Sequence, residues 1–158
     1  MSDLSHVDRS GQARMVDVSA KEITERFARA TGTISMSREA LEAVRKNTVQ
    51  KGDVLAVAKV AGIMAAKRTA ELIPLCHPLP LTDVQVIATV DDNIPGVRVE
   101  SAVRTAGKTG VEMEALVAVS VTLVTVYDMV KSLDRSMVIS GICLAEKTGG
   151  RSGHWKRA

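Results

Sequence analysis

Aromatic residues are nearly missing from this chain: Phe27, Tyr127 and Trp155 are the only three among 158 residues. Without a row of aromatic rings, nucleic-acid bases have little to stack on, which argues against a single-strand-binding sheet or an RNA-recognition module. The net charge of +3 is a mild excess that suits a small anionic ligand better than a polyanion. We therefore expect no nucleic-acid partner.

Cysteine and long apolar runs are also scarce. The two cysteines, Cys76 and Cys143, cannot form a disulfide framework, which favours a reducing, cytoplasmic setting. The first residues are polar and lack the apolar stretch of a signal peptide. The most apolar run, residues 115–127, is shorter than the ~20 residues that a membrane span needs. We expect a cytoplasmic protein with no membrane partner.

The rest of the composition is typical of a single globular domain. Hydrophobic residues make up 46% and charged residues 25% of the chain, and its length suffices to bury a core. No repeat or linker divides it, so we predict one domain over residues 1–158. The polar segment 1–12 and the glycine-rich, basic segment 147–158 are expected to be mobile ends.

The pattern of apolar residues predicts a strand, a helical connection, two strands, a helix and a final strand. The predicted ranges are 31–36, then 38–47 with 51–72, then 84–90 and 97–104, then 111–133, and finally 137–144. This order is typical of the ferredoxin-like fold. We predict an α+β, two-layer sandwich in which helices pack on one face of an antiparallel sheet.

The predicted helix 111–133 has no polar side. In a two-layer domain one side of such a helix would face water, so we expect another subunit to cover this surface or the other face of the sheet.

Two loops could carry chemistry. His77 lies between Pro74 and Pro78, where rigid backbone would fix its side chain, although prolines that only end a helix explain the loop equally well. The three histidines and two cysteines have no zinc-type spacing, so we predict no metal site. Residues 107–110, Gly-Lys-Thr-Gly, lack the first glycine of a phosphate-binding loop, but the turn precedes a helix whose free N–H groups attract anions.

Several charged residues could have either a structural or a functional role. Asp128 and Lys131 lie three residues apart on one helix face, where they form either a stabilising ion pair or an acid/base pair. Glu112 and Glu114 either complement the dipole of their helix or bind a heterocycle rich in hydrogen-bond donors. The cations Lys51, Lys67 and Lys147 are either surface charges or, with the basic tail, a clamp on a polyphosphate.

Six short segments together resemble the molybdenum cofactor biosynthesis protein C family, over about residues 15–153. The segments are Met15–Ser19, Lys51–Val54, Ala65–Thr69, Leu72–Leu79, Thr109–Leu116 and Tyr127–Met129. The resemblance implies a lyase-type cyclic pyranopterin monophosphate synthase. Such an enzyme converts a cyclic dihydroguanosine triphosphate, with ribose C3′ bonded to guanine C8, into cyclic pyranopterin monophosphate and diphosphate.

The resemblance also implies an assembly and a site. Members of this family are ferredoxin-like homohexamers, trimers of dimers with sites at the dimer interfaces, and use no redox cofactor; magnesium could accompany the triphosphate. By motif, Asp128 would be the catalytic acid/base, Lys131 its partner and Lys51 a further catalytic group. The substrate site would be lined by Leu75, Cys76, His77, Met113 and Glu114 with Glu112 adjacent, and the triphosphate would be met by Lys67, Lys147 and Lys21.

An alternative from another functional class remains open. A ferredoxin-like regulatory module that binds a nucleotide at a subunit interface without catalysis would also explain the fold and the mild basicity. A structural oligomer with merely stabilising charge pairs is a third reading.

Overall fold

The structure is a computed structural model that describes residues 11–151 and 153–158. Within these residues the chain forms five strands and four helices. In chain order they are β1 (Thr24–Ser35), α1 (Arg38–Arg45), α2 (Val54–Ala66), α3 (Thr69–Leu72), β2 (Leu81–Asp91), β3 (Gly96–Gly107), α4 (Glu112–Val130), β4 (Val138–Thr148) and β5 (Trp155–Lys156).

The strands form one antiparallel sheet in the order β2-β3-β1-β4-β5. Helix α4 packs across β1, β3 and β4, while α2 packs on α4 and β2. The predicted α+β, ferredoxin-like sandwich with helices on one face of an antiparallel sheet is confirmed. The open face of the sheet carries polar and charged side chains, among them Arg29, Arg98 and Glu100.

Two predicted elements differ from those observed. The predicted single helix 51–72 is wrong, because α2 ends at Ala66 and the four-residue α3 follows. The Thr69 hydroxyl donates to the backbone carbonyls of Ala65 and Ala66, and such side-chain bonds compete with helix continuation. Strand β1 begins at Thr24 rather than residue 31 and pairs along its whole length with β3.

Small residues bring the helices close to each other and to the sheet. A Cβ at Gly32 of β1 would lie 2.8 Å from Val119 of α4, so the helix can approach the sheet only over glycine. A Cβ at Gly62 of α2 would lie 2.1 Å from the Thr122 hydroxyl. Because α2 and α4 run antiparallel, the start of α2 lies beside the end of α4.

The helix layer has an exposed apolar stripe, formed by Val57, Val60 and Met64 of α2 and Val124 of α4, each at least 46% exposed. By length and composition α4 could cross a membrane, but 56% of its most apolar window is buried here, as in a core helix. That a second subunit covers the helix layer stays a prediction.

The C-terminal segment folds back on the sheet: β4 continues to Thr148, and β5 pairs with its outer edge. Residues 1–10 of the other predicted mobile end lie outside the described residues. The mobility of both ends stays a prediction.

Asp134 ties the loop after α4 to the start of α1. Its carboxylate accepts from the Ser37 N–H at 2.7 Å and from the Ser136 N–H and hydroxyl at 2.8 and 2.6 Å. These bonds, the Ser136 hydroxyl first, lower the pKa of Asp134 below its ordinary value of 3.8.

We expect Asp134→Ala to lower the melting temperature at pH 7, because it leaves backbone donors without their acceptor. A carboxyl whose pKa is lowered on folding stabilises the folded state above its unfolded pKa and loses this effect as the pH falls through the folded value. The gap in melting temperature between wild type and variant should therefore narrow below pH 3.8. Asp134→Asn, which keeps an acceptor but not the charge, should fall between the two; a gap that does not change with pH would contradict this role.

Candidate active site

The end of α4 and the loop before α2 bring three predicted catalytic residues into contact. Lys131 Nζ donates to Asp128 Oδ1 at 2.6 Å, and Lys51 Nζ donates to Asp128 Oδ2 at 2.7 Å and to the Asp128 carbonyl at 2.9 Å. Each side chain is about half exposed. We call these three residues the lysine–aspartate cluster.

The two lysines hold the aspartate in its charged form. Hydrogen bonds from Lys131 and then Lys51 lower the pKa of Asp128 from 3.8 to about 2. Asp128 is therefore a carboxylate at neutral pH, and it accepts hydrogen bonds from both lysines. Surface ion pairs of this exposure contribute little to stability, so folding alone does not account for the arrangement.

Local backbone geometry delivers Lys51 to the cluster. Asn47, the residue after the C-cap of α1, has a φ of 54°, and Gly52 has a φ of 96°, which favours glycine. Asp53 then caps α2 by accepting from the Ala56 N–H at 3.0 Å. The chain thus reverses between two helices with Lys51 at the turn. A shallow cavity of about 350 Å³ adjoins the cluster, lined by Lys51, Tyr127, Asp128, Lys131, Ser132 and Arg135.

A larger, basic cavity of about 670 Å³ lies at the other end of α4. Its walls come from residues 20–27, the turn 108–112 and the end of β4 with the glycines that follow. Five cations face two carboxylates there: Lys21, Arg26, Lys108, Lys147 and Arg151 against Glu22 and Glu112. This basic pocket has the size and charge for a polyphosphate.

Lys147 and Arg26 are held in the walls of the basic pocket. Lys147 Nζ donates to Glu112 Oε1 at 2.9 Å. The Arg26 guanidinium donates to the carbonyls of Gly107 and Lys108 at 3.3 and 3.4 Å. Gly150, whose φ of 68° favours glycine, lies against this guanidinium, and a Cβ there would displace the Arg26 side chain.

The first turn of α4 and the loop after α3 form a third group. Glu114 is only 4% exposed, and burial raises the pKa of its carboxyl. Burial, together with the charge of Glu114, also raises the pKa of the Cys76 thiol. His77 Nε2 donates to the Val16 carbonyl at 2.8 Å, which fixes the ring and leaves Nδ1 free of that bond.

The remaining predicted site residues lie at this same end of the helix layer. Lys67 is the exposed C-cap residue of α2, Met113 is 37% exposed, and Leu75 is half-buried. A helix rises 1.5 Å per residue, so Glu112 and Asp128 are about 24 Å apart along α4. One chain therefore brings the predicted residues together in two places rather than in one.

Sequence reasoning missed two cations of the basic pocket, Arg26 and Lys108, and included Arg151 only as part of the basic tail. Arg26 was detectable, because it breaks a row of small or apolar residues on the helix side of β1, namely Ala28, Ala30, Gly32 and Ile34. Lys108 lies inside the Gly-Lys-Thr-Gly turn that the sequence predicts to attract anions. Across residues 11–151 and 153–158, no group of three or more His, Cys, Asp or Glu side chains could hold a metal ion.

Comparisons with known proteins identify the family. The family model described as the MoaC family matches residues 15–150. The chain is 58% identical to a cyclic pyranopterin monophosphate synthase of Thermomicrobium roseum over 99% of this chain and 95% of that protein. A protein of the same name from Heliobacterium modesticaldum is also 58% identical over 99% of each chain, and one from Cereibacter sphaeroides is 57% identical. This chain belongs to the MoaC family.

Proposed function

We propose that this protein is a cyclic pyranopterin monophosphate synthase of molybdenum cofactor biosynthesis. It would convert the cyclic dihydroguanosine triphosphate into cyclic pyranopterin monophosphate and diphosphate, as a phosphorus–oxygen lyase in the cytoplasm. The observation that carries the proposal is the identity of 55–58% with relatives of this name over nearly the full chain. The chemistry of the lysine–aspartate cluster and of the basic pocket supports it.

The lysine–aspartate cluster supplies the proton transfers. The reaction opens an aminal, rebuilds a pterin ring and closes a pyran ring, so protons must move repeatedly between nitrogen and oxygen. Because Asp128 is held as a carboxylate, Lys51 and Lys131 are the proton donors, and Asp128 keeps both ammonium groups at the reacting atoms. A deprotonated lysine then serves as the base for a later step.

The basic pocket binds the triphosphate and its diphosphate leaving group. Lys21 and Lys147 supply charge, joined by Arg26 and Lys108 on the same walls. Cations fixed beside the leaving group stabilise the negative charge that develops when the cyclic phosphate forms. Lys67, at the C-cap of α2, extends this positive surface. No redox cofactor is needed, since the reaction is a rearrangement, and magnesium is at most a companion of the triphosphate.

The third group recognises the heterocycle. The Glu114 carboxyl, buried and near Cys76, can accept from the ring N–H donors of guanine. His77, fixed by its bond to Val16, presents a second polar atom. Leu75 and Met113 supply apolar contact, and Glu112 orients Lys147 beside them.

The active unit contains more than one chain. One substrate cannot reach both ends of α4 within a chain, because about 24 Å separates them. A second copy would bring its lysine–aspartate cluster to the first copy's basic pocket, and the apolar stripe on α2 and α4 provides surface to bury. We therefore propose a homohexamer, a trimer of dimers with sites at dimer interfaces.

The first experiment is an assay of the purified protein with the cyclic dihydroguanosine triphosphate. Diphosphate release and the fluorescent pterin obtained after oxidation should appear in equal amounts. Tight binding without turnover would instead favour the alternative, a nucleotide-binding regulatory module.

Mixing two inactive variants tests whether the site is shared. Lys51→Ala damages the lysine–aspartate cluster, and Arg26→Ala damages the basic pocket. In randomly mixed dimers half are heterodimers, each with one intact site of two, so activity should return to about a quarter of wild type. Lys51→Ala mixed with Lys131→Ala is the matched control: every site then has a damaged cluster, and activity should stay absent. If activity stays absent in the Lys51→Ala and Arg26→Ala mixture as well, the proposal of a shared site is wrong.

A further inference from the structure

The short strand β5 lies beyond the segment that the family model matches, which ends at residue 150. Trp155 pairs with Lys147, and Lys156 pairs with Glu146. The Arg157 N–H donates to the Ala145 carbonyl at 2.9 Å, and Arg157 Nε donates to the Leu144 carbonyl at 2.9 Å. These contacts fall on four consecutive residues of β4. We call His154–Arg157 the strap.

The same four residues contain an irregularity in the sheet. Leu144 pairs with Ala30 of β1, but Glu146 pairs with the next residue, Arg29, so Ala145 is an extra residue on β4. Such a β-bulge bends its strand and changes which face the following side chains occupy.

The bulge determines where Lys147 points. With it, Lys147 lies opposite Ala28, which is fully buried beneath the helices. Directly opposed residues share a face, so Lys147 reaches the helix side and its pair with Glu112. Without the extra residue, Lys147 would lie opposite Phe27 and project from the open face of the sheet.

The strap bonds to β4 at the bulge. Ala145, the residue that the pairing with β1 leaves over, accepts from the Arg157 N–H at its carbonyl on the outer edge of β4. His154 Nε2 donates to Glu146 Oε1 at 2.8 Å, while Arg29 holds the other carboxylate oxygen at 2.7 Å. Leu144 and Glu146, on either side of Ala145, thus contact β1 on one edge of β4 and the strap on the other.

We infer that the strap is a positioning element for the basic pocket: it holds the Ala145 bulge and thereby aims Lys147 and the Gly149–Gly150 turn at the bound anion. No residue of the strap, which the structure describes in full, lines the basic pocket. The nature of the anion rests on the proposed function, whereas the hold on the bulge does not.

The test compares two variants of the full-length chain. Arg157→Pro removes both Arg157 donors to β4, while the matched Arg157→Ala removes only the side-chain donor. We expect Arg157→Pro to raise KM, and the Kd for inorganic tripolyphosphate, about fivefold, with kcat within about twofold. Arg157→Ala should have the smaller effect. A fall in kcat with unchanged KM would overturn the inference, because the strap would then act elsewhere than on binding.

A double-mutant cycle shows whether the strap acts through Lys147. Lys147→Ala should raise KM about tenfold, and adding Arg157→Pro to it should change KM by less than about twofold, because the group that the strap aims is already gone. An equal effect of Arg157→Pro with and without Lys147 would overturn the inference.

Hydrogen exchange tests the hold on the bulge without any ligand. In Arg157→Pro the amides of residues 145–148 should exchange faster than in Arg157→Ala, while those of β3 stay unchanged. Unchanged exchange at residues 145–148 would overturn the strap whatever the protein binds. If wild type neither turns over substrate nor binds tripolyphosphate, the proposed function fails, and the exchange result still decides the strap.

Discussion

Asp128→Asn is expected to reduce turnover of the cyclic triphosphate about 10²–10⁴-fold, the usual contribution of positioned proton-transfer groups, because Lys51 and Lys131 lose the carboxylate that holds them in place. An amide has no charge with which to hold two ammonium groups, and its NH₂ would oppose one of the lysines that now donate at 2.6 and 2.7 Å. The change is nearly isosteric and the site is half exposed, so the fold should remain intact. Diphosphate release under single-turnover conditions measures the loss.

A matched variant separates this effect from the loss of a surface ion pair. Asp92 is also exposed and also pairs with a cation, Arg45, at 2.5 Å, but it lies outside the lysine–aspartate cluster and the basic pocket. Asp92→Asn should leave turnover unchanged. Equal activity of the two variants would remove Asp128 from the mechanism, and a lower melting temperature with full turnover would make its cluster structural. Tripolyphosphate affinity should be unchanged in both, because the basic pocket is intact.

Gly62→Ala is expected to destabilise the protein by about 1–3 kcal/mol, the usual cost of an extra methyl group in a packed core. The new Cβ would lie 2.1 Å from the Thr122 hydroxyl and 2.9 Å from the Ala118 carbonyl, so α2 and α4 would have to separate. Alanine is otherwise the better helix former, so intrinsic propensity alone predicts the opposite sign. The melting temperature should fall by about 2–4 °C for each kcal/mol.

A second substitution shows whether the contact itself is responsible. Thr122→Ala removes the nearer of the two opposing atoms and should restore part of the stability of Gly62→Ala, while the Ala118 carbonyl continues to resist the new methyl group. Independent effects of the two substitutions on the free energy of unfolding would show that they do not meet across the helix pair.

Much of the fold could be predicted from the sequence because local pattern and architecture agree. Alternation over residues 97–104 and the turn before it predict a hairpin, and the uncharged run 115–127 predicts a buried helix. The break between α2 and α3 was not predictable in this way, since it depends on the Thr69 hydroxyl bonding to particular carbonyls. Propensities alone favoured a continuous helix there.

The candidate site was predictable where spacing suffices. A spacing of three residues on one helix places Asp128 beside Lys131, but the position of Lys51 next to them depends on tertiary packing. The basic pocket draws on residues more than 130 positions apart, from Ala20 to Arg151. No local pattern reveals the Ala145 bulge, because it exists only in the pairing of β4 with β1.

The length of α4 has a consequence for when chemistry can begin. A continuous helix separates the proton donors from the anion-binding end by about 24 Å, farther than any side chain can bridge. Motion within one chain cannot close this gap, because the helix is packed against three strands. If the site is shared as proposed, the length of α4 keeps a monomer inactive, because its two parts of the site are too far apart to act on one substrate. Activity then depends on the association of folded chains, since only a chain whose sheet and helices have already formed can complete its neighbour's site.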